Sequence, residues 1–306
     1  MAHVKELFMS TDPQETRVAI TENKRLEEFY VERATDQRVV GSIYKGRVTS
    51  IVPGIGAAFV DIGVGKHGFL YVSDIVEPVH EEDAILEEGE SPREEARPHK
   101  PQRRSRIEEI VKPNQELLVQ VVKEPFGTKG ARLTTHIGLP GRYMVLMCND
   151  AHLGISKRIT DAHERSRLRD ILTKLRFSKE AGLIIRTAGI GKGEKELARD
   201  VRYLSKIYQR VKQVAARAKA PVCVYQEYEL AQRVIRDSFT EDVHRIAVDS
   251  KATFHHLRRF LQMLIPGVKV RIDFYQGAVP LFEQEGLDEQ IVAVFEKQEA
   301  PVTLRD

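Results

Sequence analysis

Apolar and polar positions alternate along the first third of the chain, whereas spacings of three and four dominate later segments. Residues 16–20 (TRVAI) and 26–32 (LEEFYVE) read as strands around the turn-prone Glu22-Asn23-Lys24, a hairpin pattern. Between 41 and 135 come the segments SIYKGRVTSIV, GAAFVDIG, HGFLYVSDI, ELLVQVVKE and KGARLTT, punctuated by glycine. Short strands at that spacing predict a small barrel rather than a βαβ unit. After Pro140 the rhythm is mixed. YMVLM predicts a strand, and 161–177 a helix opened by Asp161 with Glu164 three residues on, as in a capping box. GLIIRTAG predicts a buried strand. Leu197, Val201, Leu204, Tyr208, Val211 and Ala215 then mark a long helix over 194–218. The remainder alternates: strand VCVYQE, a helix from Leu230, strand RIAVDS, helix 253–264, strand VKVRIDFY and helix 288–297, an α/β pattern.

The length of 306 residues suits roughly two domains, and 42% hydrophobic residues provide for buried cores. Net charge is only +3, but 30% of residues are charged, so the order of the signs carries the information. Acids crowd residues 81–95, and bases with Pro98 and Pro101 crowd 93–106. Like-charge blocks without apolar periodicity predict an extended, solvated loop, about 79–111, inserted between barrel strands. No apolar run approaches the roughly 20 residues of a membrane span, and residues 1–13 lack a signal-peptide core. Cys148 and Cys223 are far apart with no Cys-x-x-Cys spacing, which argues against a disulfide framework or a cysteine zinc site in this chain and fits a reducing cytoplasm.

Few chemistries survive inspection. LIIRTAGIGKGEKEL (183–197) has Arg186 where a Walker loop needs glycine and Gly193 where it needs Ser or Thr. Gly189, Gly191 and Gly193 do not follow dinucleotide spacing either. A buried strand here delivers Arg186 and Thr187 into a glycine-rich turn ahead of a helix. Guanidinium, hydroxyl and backbone N–H groups together would bind an anion; the alternative is a structural ion pair for Arg186. There is no His-Glu-x-x-His, and His255 and His256 on one helix point about 100° apart. No Gly-x-Ser-x-Gly elbow occurs. Asp249 and Asp273 lie near strand ends, and Asp249 reads as a helix cap.

SIYKGRV, GAAFVDIG and HGFLYVSDI together resemble the OB-fold RNA-binding domain repeated in the largest protein of the bacterial small ribosomal subunit. Such a domain would stack unpaired bases on Phe59 and Phe69, at about 1–3 kcal/mol per base, while Lys45, Lys66, His67 and Lys129 hold phosphates. Strand parity alone leaves open whether Phe59 faces solvent or the core, and Tyr44 could serve either as platform or as core.

The order IYKGRVTSI, AAFVDIG…HGFL, KEPFGTKGARLTT, GLPGRYMVLM, GISKRI, GLIIRTAG, QEYELAQRVIRD, RIDFYQGAVPLF is similar, along nearly the whole chain, to the N-terminal portion of the bacterial ribonuclease E/G family. The resemblance implies a multi-subdomain fold of the α+β or α/β class. A degenerate RNase H-like unit (1–38 and 220–285) would carry an inserted OB barrel (39–136) and a small α/β 5′-sensor subdomain (137–219), with 286–306 leading into a catalytic part. It implies single-stranded RNA with a 5′-monophosphate end as partner. Phe59, Phe69 and Lys129 match the RNA-gripping positions. Arg186 and Thr187 match the 5′-phosphate pair, with Gly141 and Val145 lining the pocket and Arg158 retained; Lys157 stands where the family often has Arg, which weakens bidentate contact. The family cleaves with two magnesium-binding aspartates in a DNase I-like subdomain, and a zinc-binding Cys-Pro-x-Cys link joins its subunits into homo-oligomers. Neither motif occurs in these residues, so no catalytic residue or metal ligand is expected here and the chain alone should not cleave RNA. Two readings follow: the RNA-binding, 5′-sensing portion of a magnesium-dependent endoribonuclease of rRNA and mRNA processing and decay, or a stand-alone non-catalytic RNA-binding protein. The reading frame beyond Asp306 would discriminate them.

Overall fold

The computed structural model describes residues 4–33, 39–75, 106–175 and 181–298. They form two compact units, one from 1–38 with 228–306 and one from 39–227.

The first unit opens with β1 (Lys5–Thr11), β2 (Glu15–Glu22) and β3 (Arg25–Arg33). β2 and β3 form the expected hairpin, its turn carried by Asn23 and Lys24 at φ 51° and 64°, the left-handed pair that matches strand twist. β1 escapes the alternation pattern because Leu7, Phe8 and Met9 are all buried in succession, as in a strand covered on both faces.

In the second unit β4 (Ile43–Val52), β5 (Ala57–Asp61), β6 (Gly68–Tyr71), α1 (Ile107–Ile110), β7 (Glu116–Lys123) and β8 (Arg132–Thr134) build the expected barrel. The order β4-β5-β6-β8-β7 closes when β7 pairs back onto β4. Val48, Val60, Leu70, Val119 and Leu133 fill its interior. The charged stretch 76–105 lies outside the described residues, but the expected loop to 111 is too long. Ile107 and Val111 are buried in the barrel core through α1, because apolar side chains resume at the end of the charged run.

Next come β9 (Gly138–Pro140), β10 (Met144–Met147), β11 (Leu153–Ile155), α2 (Ala162–Lys174), β12 (Gly182–Ile185) and α3 (Glu194–Arg217). The four strands form one sheet, order β11-β12-β10-β9. The apolar stripe of α3 packs on it, with Leu197, Leu204 and Tyr208 beside Leu146, Leu168 and Leu183 in one core. β13 (Val222–Tyr225) is antiparallel to β4, so the unit extends to 227, past the break expected at 220.

The chain then returns to the first unit with α4 (Leu230–Ser238), β14 (Val243–Val248), α5 (Lys251–Leu264), β15 (Arg271–Phe274), α6 (Leu281–Gln284) and α7 (Leu287–Gln298). The sheet runs β15-β14-β1-β2-β3, with β14 parallel to both β1 and β15. Asp249 is not the cap of α5: Ser250 is, accepting from Thr253 N, while Asp249 accepts from Thr11 N at 3.0 Å. Asp273 is held by Arg245 and Arg271. Among the described residues no helix is long and apolar enough to cross a membrane.

Candidate functional site

On the barrel, β5 and β6 bury Ala58, Val60 and Leu70 and turn Phe59, Phe69 and Tyr71 outward. That settles the orientation of Phe59: it and Phe69 are directly opposite on the outer face, half-buried, with ring centroids 4.9 Å apart at 89°. Tyr71 extends the row, 4.8 Å from Phe69, with the Arg132 guanidinium over its ring. An open cleft of about 480 Å³ is lined by Phe59, Lys66, His67, Thr128 and Gly130. Thr49, which donates to the Phe59 carbonyl, lies 3.2 Å from His67 Nδ1. The far wall is a hairpin in which Phe126 and Lys129 exchange both backbone hydrogen bonds. Lys66 Nζ donates to Gly127 O in that hairpin. Gly130 permits this closeness, since a Cβ there would lie 1.8 Å from the His67 carbonyl oxygen.

Phe59, Lys66, His67 and the Lys129 hairpin thus share one cleft, with Phe69 beside it. Lys45 is not with them. Its Nζ is bonded to Ala218 O and paired with Glu116, each at 3.0 Å, and Lys45 with Arg47 holds the Glu116 carboxyl down at about 2. Its charge is already engaged by the protein. Tyr44 belongs to the core, where burial and the neighbouring Cys223 push its hydroxyl up to about 12.

At one end of the β9–β12 sheet three loops converge. β10 is antiparallel to β12 and β11 parallel to it, so the turn 141–143, the loop 156–158 and the loop after Ile185 emerge together. Gly141, Arg158, Arg186 and Thr187 share this end, and Val145 is one pair further in, opposite Ile184. Arg186 donates to Gly141 O at 2.6 Å and to Tyr143 O through its backbone N–H. Thr187 and Arg158 are exposed.

The glycine-rich turn is not an empty nest. Backbone acceptors take the N–H groups of Gly189, Ile190 and Lys192, while Glu164 and Glu196 take those of Gly191 and Gly193. Glu164 therefore does not complete a capping box with Asp161, which caps α2 alone. Arg167 and the Gly191 N–H hold the Glu164 carboxyl down at about 2. The candidate anion-binding groups of this loop narrow to the Arg186 guanidinium and the Thr187 hydroxyl.

Comparison with known proteins matches two adjacent stretches of the chain. The S1 RNA binding domain model matches residues 39–135, the barrel. The Ribonuclease E/G family model matches residues 138–302, more than half of the chain. The chain belongs to the ribonuclease E/G family. It is 40% identical over 293 residues to ribonuclease G of Escherichia coli (strain K12), covering 96% of this chain and 57% of that protein. Ribonuclease G of Haemophilus influenzae is 38% identical over 294 residues, with 57% of that protein covered. Ribonuclease E of the same organism is 35% identical over 293 residues, with 30% of it covered. The chain spans just over half the length of the ribonuclease G relatives.

Sequence reasoning missed one residue of this ribonuclease E/G chain, Asp200. It is 5% exposed and accepts backbone N–H bonds from Arg142 (3.2 Å), Tyr143 (2.8 Å) and Met144 (2.9 Å). Burial pushes its carboxyl up, opposed by those bonds and by the Arg186 charge. Gly141 has no room for a side chain: a Cβ would sit 2.6 Å from an Asp200 oxygen. The signal was available, since Asp200 is a lone acid on the buried stripe of α3 three residues after Leu197. Among the described residues no group of three His, Cys, Asp or Glu side chains is placed to hold a metal ion, so the magnesium and zinc that the resemblance implies have no ligand set there.

Proposed function

We propose that this chain binds single-stranded RNA on the aromatic face of its S1 barrel and reads a 5′-monophosphate with Arg186 and Thr187. The carrying observation is the outward Phe59–Phe69 pair, directly opposed in register and bordered by Lys66, His67 and the Lys129 hairpin. Bases stack on the rings, and the cations hold the backbone. Stacking is indifferent to the chemistry of the 5′ end. Arg186 is different: its guanidinium, steadied by Gly141 O, supplies a planar donor pair suited to a terminal phosphate, with Val145 and Gly141 as the neighbouring wall and exposed Arg158 at the rim. The convergence of these residues at one sheet end supports residues 137–219 as a 5′-sensor subdomain. The sheet assembled from 1–38 and 228–306 supports an RNase H-like unit split across the chain.

On this reading the chain is the RNA-engaging portion of a magnesium-dependent, homo-oligomeric endoribonuclease of RNA processing and decay. A cytoplasmic setting is supported by two free cysteines, Cys148 and Cys223. The test uses two RNAs of one sequence, 5′-monophosphorylated and 5′-hydroxyl, at one salt concentration. Arg186→Ala should weaken only the phosphorylated RNA, by roughly ten- to a hundredfold for a charge-assisted contact of about 1.5–3 kcal/mol. Phe59→Ala and Phe69→Ala should weaken both alike. Equal loss for both RNAs with Arg186→Ala would reduce that arginine to a structural partner and remove the sensor.

A further inference from the structure

The long helix α3 carries a charge pattern that its packing does not use. Its buried stripe is Leu197, Val201, Leu204, Tyr208 and Val211. On the opposite side Lys195, Arg199, Arg202, Lys206, Arg210 and Arg217 are all exposed. At 100° per residue these six side chains fall within an arc of about 80°, and at 1.5 Å per residue the row is about 33 Å long. The acids of the helix, Glu194, Glu196 and Asp200, all lie in its first two turns and outside that arc. Among the described residues none of the six cations has an ion-pair partner. Like charges three and four residues apart destabilise a helix, so this row is unfavourable for the helix by itself. Only the last turn gains from the helix dipole.

The helix that carries the row also begins just after the loop of the candidate phosphate pair. α3 starts directly after the Arg186–Thr187 loop, and Asp200 in its second turn bonds the 142–144 turn. We infer that the exposed face of α3 is a phosphate-backbone track that carries RNA away from the 5′-end pocket. One cation for every axial step of about 4.5–6 Å over most of the row suits a polyanion with one charge per nucleotide. An anionic membrane would also meet such a row. RNA is favoured because the track adjoins the Arg186 pocket and belongs to the same unit as the S1 barrel. The inference rests on the RNA-binding reading above and extends it to a third surface.

The test measures binding of 3′-labelled oligouridylates with a 5′-monophosphate, long and short, across a series of potassium chloride concentrations. The variant Lys195→Gln/Arg199→Gln/Arg202→Gln/Lys206→Gln keeps good helix formers. It should bind the long RNA with a shallower salt dependence, by about 0.7 in the log–log slope for each phosphate contact removed, and bind the short RNA as before. Should the fourfold variant unfold, Arg202→Gln/Lys206→Gln at mid-helix gives the same reading with about half the change. An unchanged slope on the long RNA overturns the track. So does wild-type binding to phosphatidylserine vesicles that the variant loses while its RNA slope stays unchanged. Phe59→Ala, measured in parallel, separates the two ideas. If it has no effect on either RNA, the barrel reading fails; if it weakens both while the fourfold variant changes nothing, only the track fails.

Discussion

Asp200→Asn probes what holds the candidate phosphate pocket in shape. The wild-type carboxylate accepts three backbone N–H groups from 142–144 and is nearly fully buried. An asparagine oxygen can take the Oδ2 position, keeping the 2.8 Å and 2.9 Å bonds from Tyr143 and Met144 as neutral ones. Its amide nitrogen then faces the Arg142 N–H, donor against donor. One charge-assisted bond is lost and a buried donor is left unsatisfied, each costing about 1–3 kcal/mol. The combined loss should be about 2–4 kcal/mol locally, since neighbouring effects do not add fully. Amide exchange of Tyr143 and Met144 in the native protein reads this directly. Protection should fall by roughly 30- to 1,000-fold. Asp200→Ala, which removes every acceptor, should fall further. Binding of 5′-monophosphorylated RNA should weaken with it, because Arg186 is anchored on Gly141 O of the same turn, while 5′-hydroxyl RNA should bind as before. Protection in the asparagine variant within about threefold of wild type would refute the view that the carboxylate organises this turn.

Glu164 gives a pH dependence with a definite sign. Its carboxyl is depressed from 4.5 to about 2 by Arg167 and Gly191, so its stabilisation is complete above about pH 4.5 and fades as pH falls towards 2; Gly191 amide exchange should accelerate in that window, and Glu164→Gln should abolish the dependence. Gly130→Ala would put a Cβ 1.8 Å from His67 O and should displace the Phe126–Lys129 hairpin. Affinity for single-stranded RNA should fall about tenfold, one charged contact's worth, with an unchanged circular dichroism spectrum; unchanged affinity would count against the hairpin as a wall of the site.

The barrel was legible because its strands are covered on one face only, so inward Val60 and Leu70 alternate with outward Phe59 and Phe69. Even so, alternation has no sign until a partner strand fixes it, which is why Phe59 could be placed on a strand but not on a side. β1 was invisible for the opposite reason: a strand buried on both faces has no alternation to read. The place of Lys45 is not readable locally: its partner Glu116 is far away in sequence and arrives only through β4–β7 pairing, where it stands opposite Arg47, one residue pair along the same face from Lys45. The glycine-rich turn brings several backbone donors together, as its composition suggests, but they are not free as expected. The Gly191 N–H is taken by Glu164, a helix away, and no local pattern carries that information.

The five-stranded sheet of the first unit has a consequence for the order in which the protein is made. Thr11 and Asp249, joined at the end of the β1–β14 pair, are 238 positions apart in the chain. At about 5–20 residues per second, a ribosome takes roughly 10–50 s to travel between them. During that interval β1, β2 and β3 have been synthesised but lack β14 and β15, so β1 has one unpaired edge. The whole unit 39–227 is synthesised in the meantime and contains all its own strand partners. The barrel and the pocket sheet can therefore mature first, while an apolar N-terminal hairpin waits with Leu7, Phe8 and Met9 uncovered. Slowed translation between residues 227 and 243 would lengthen that exposure and favour aggregation through the open edge of β1.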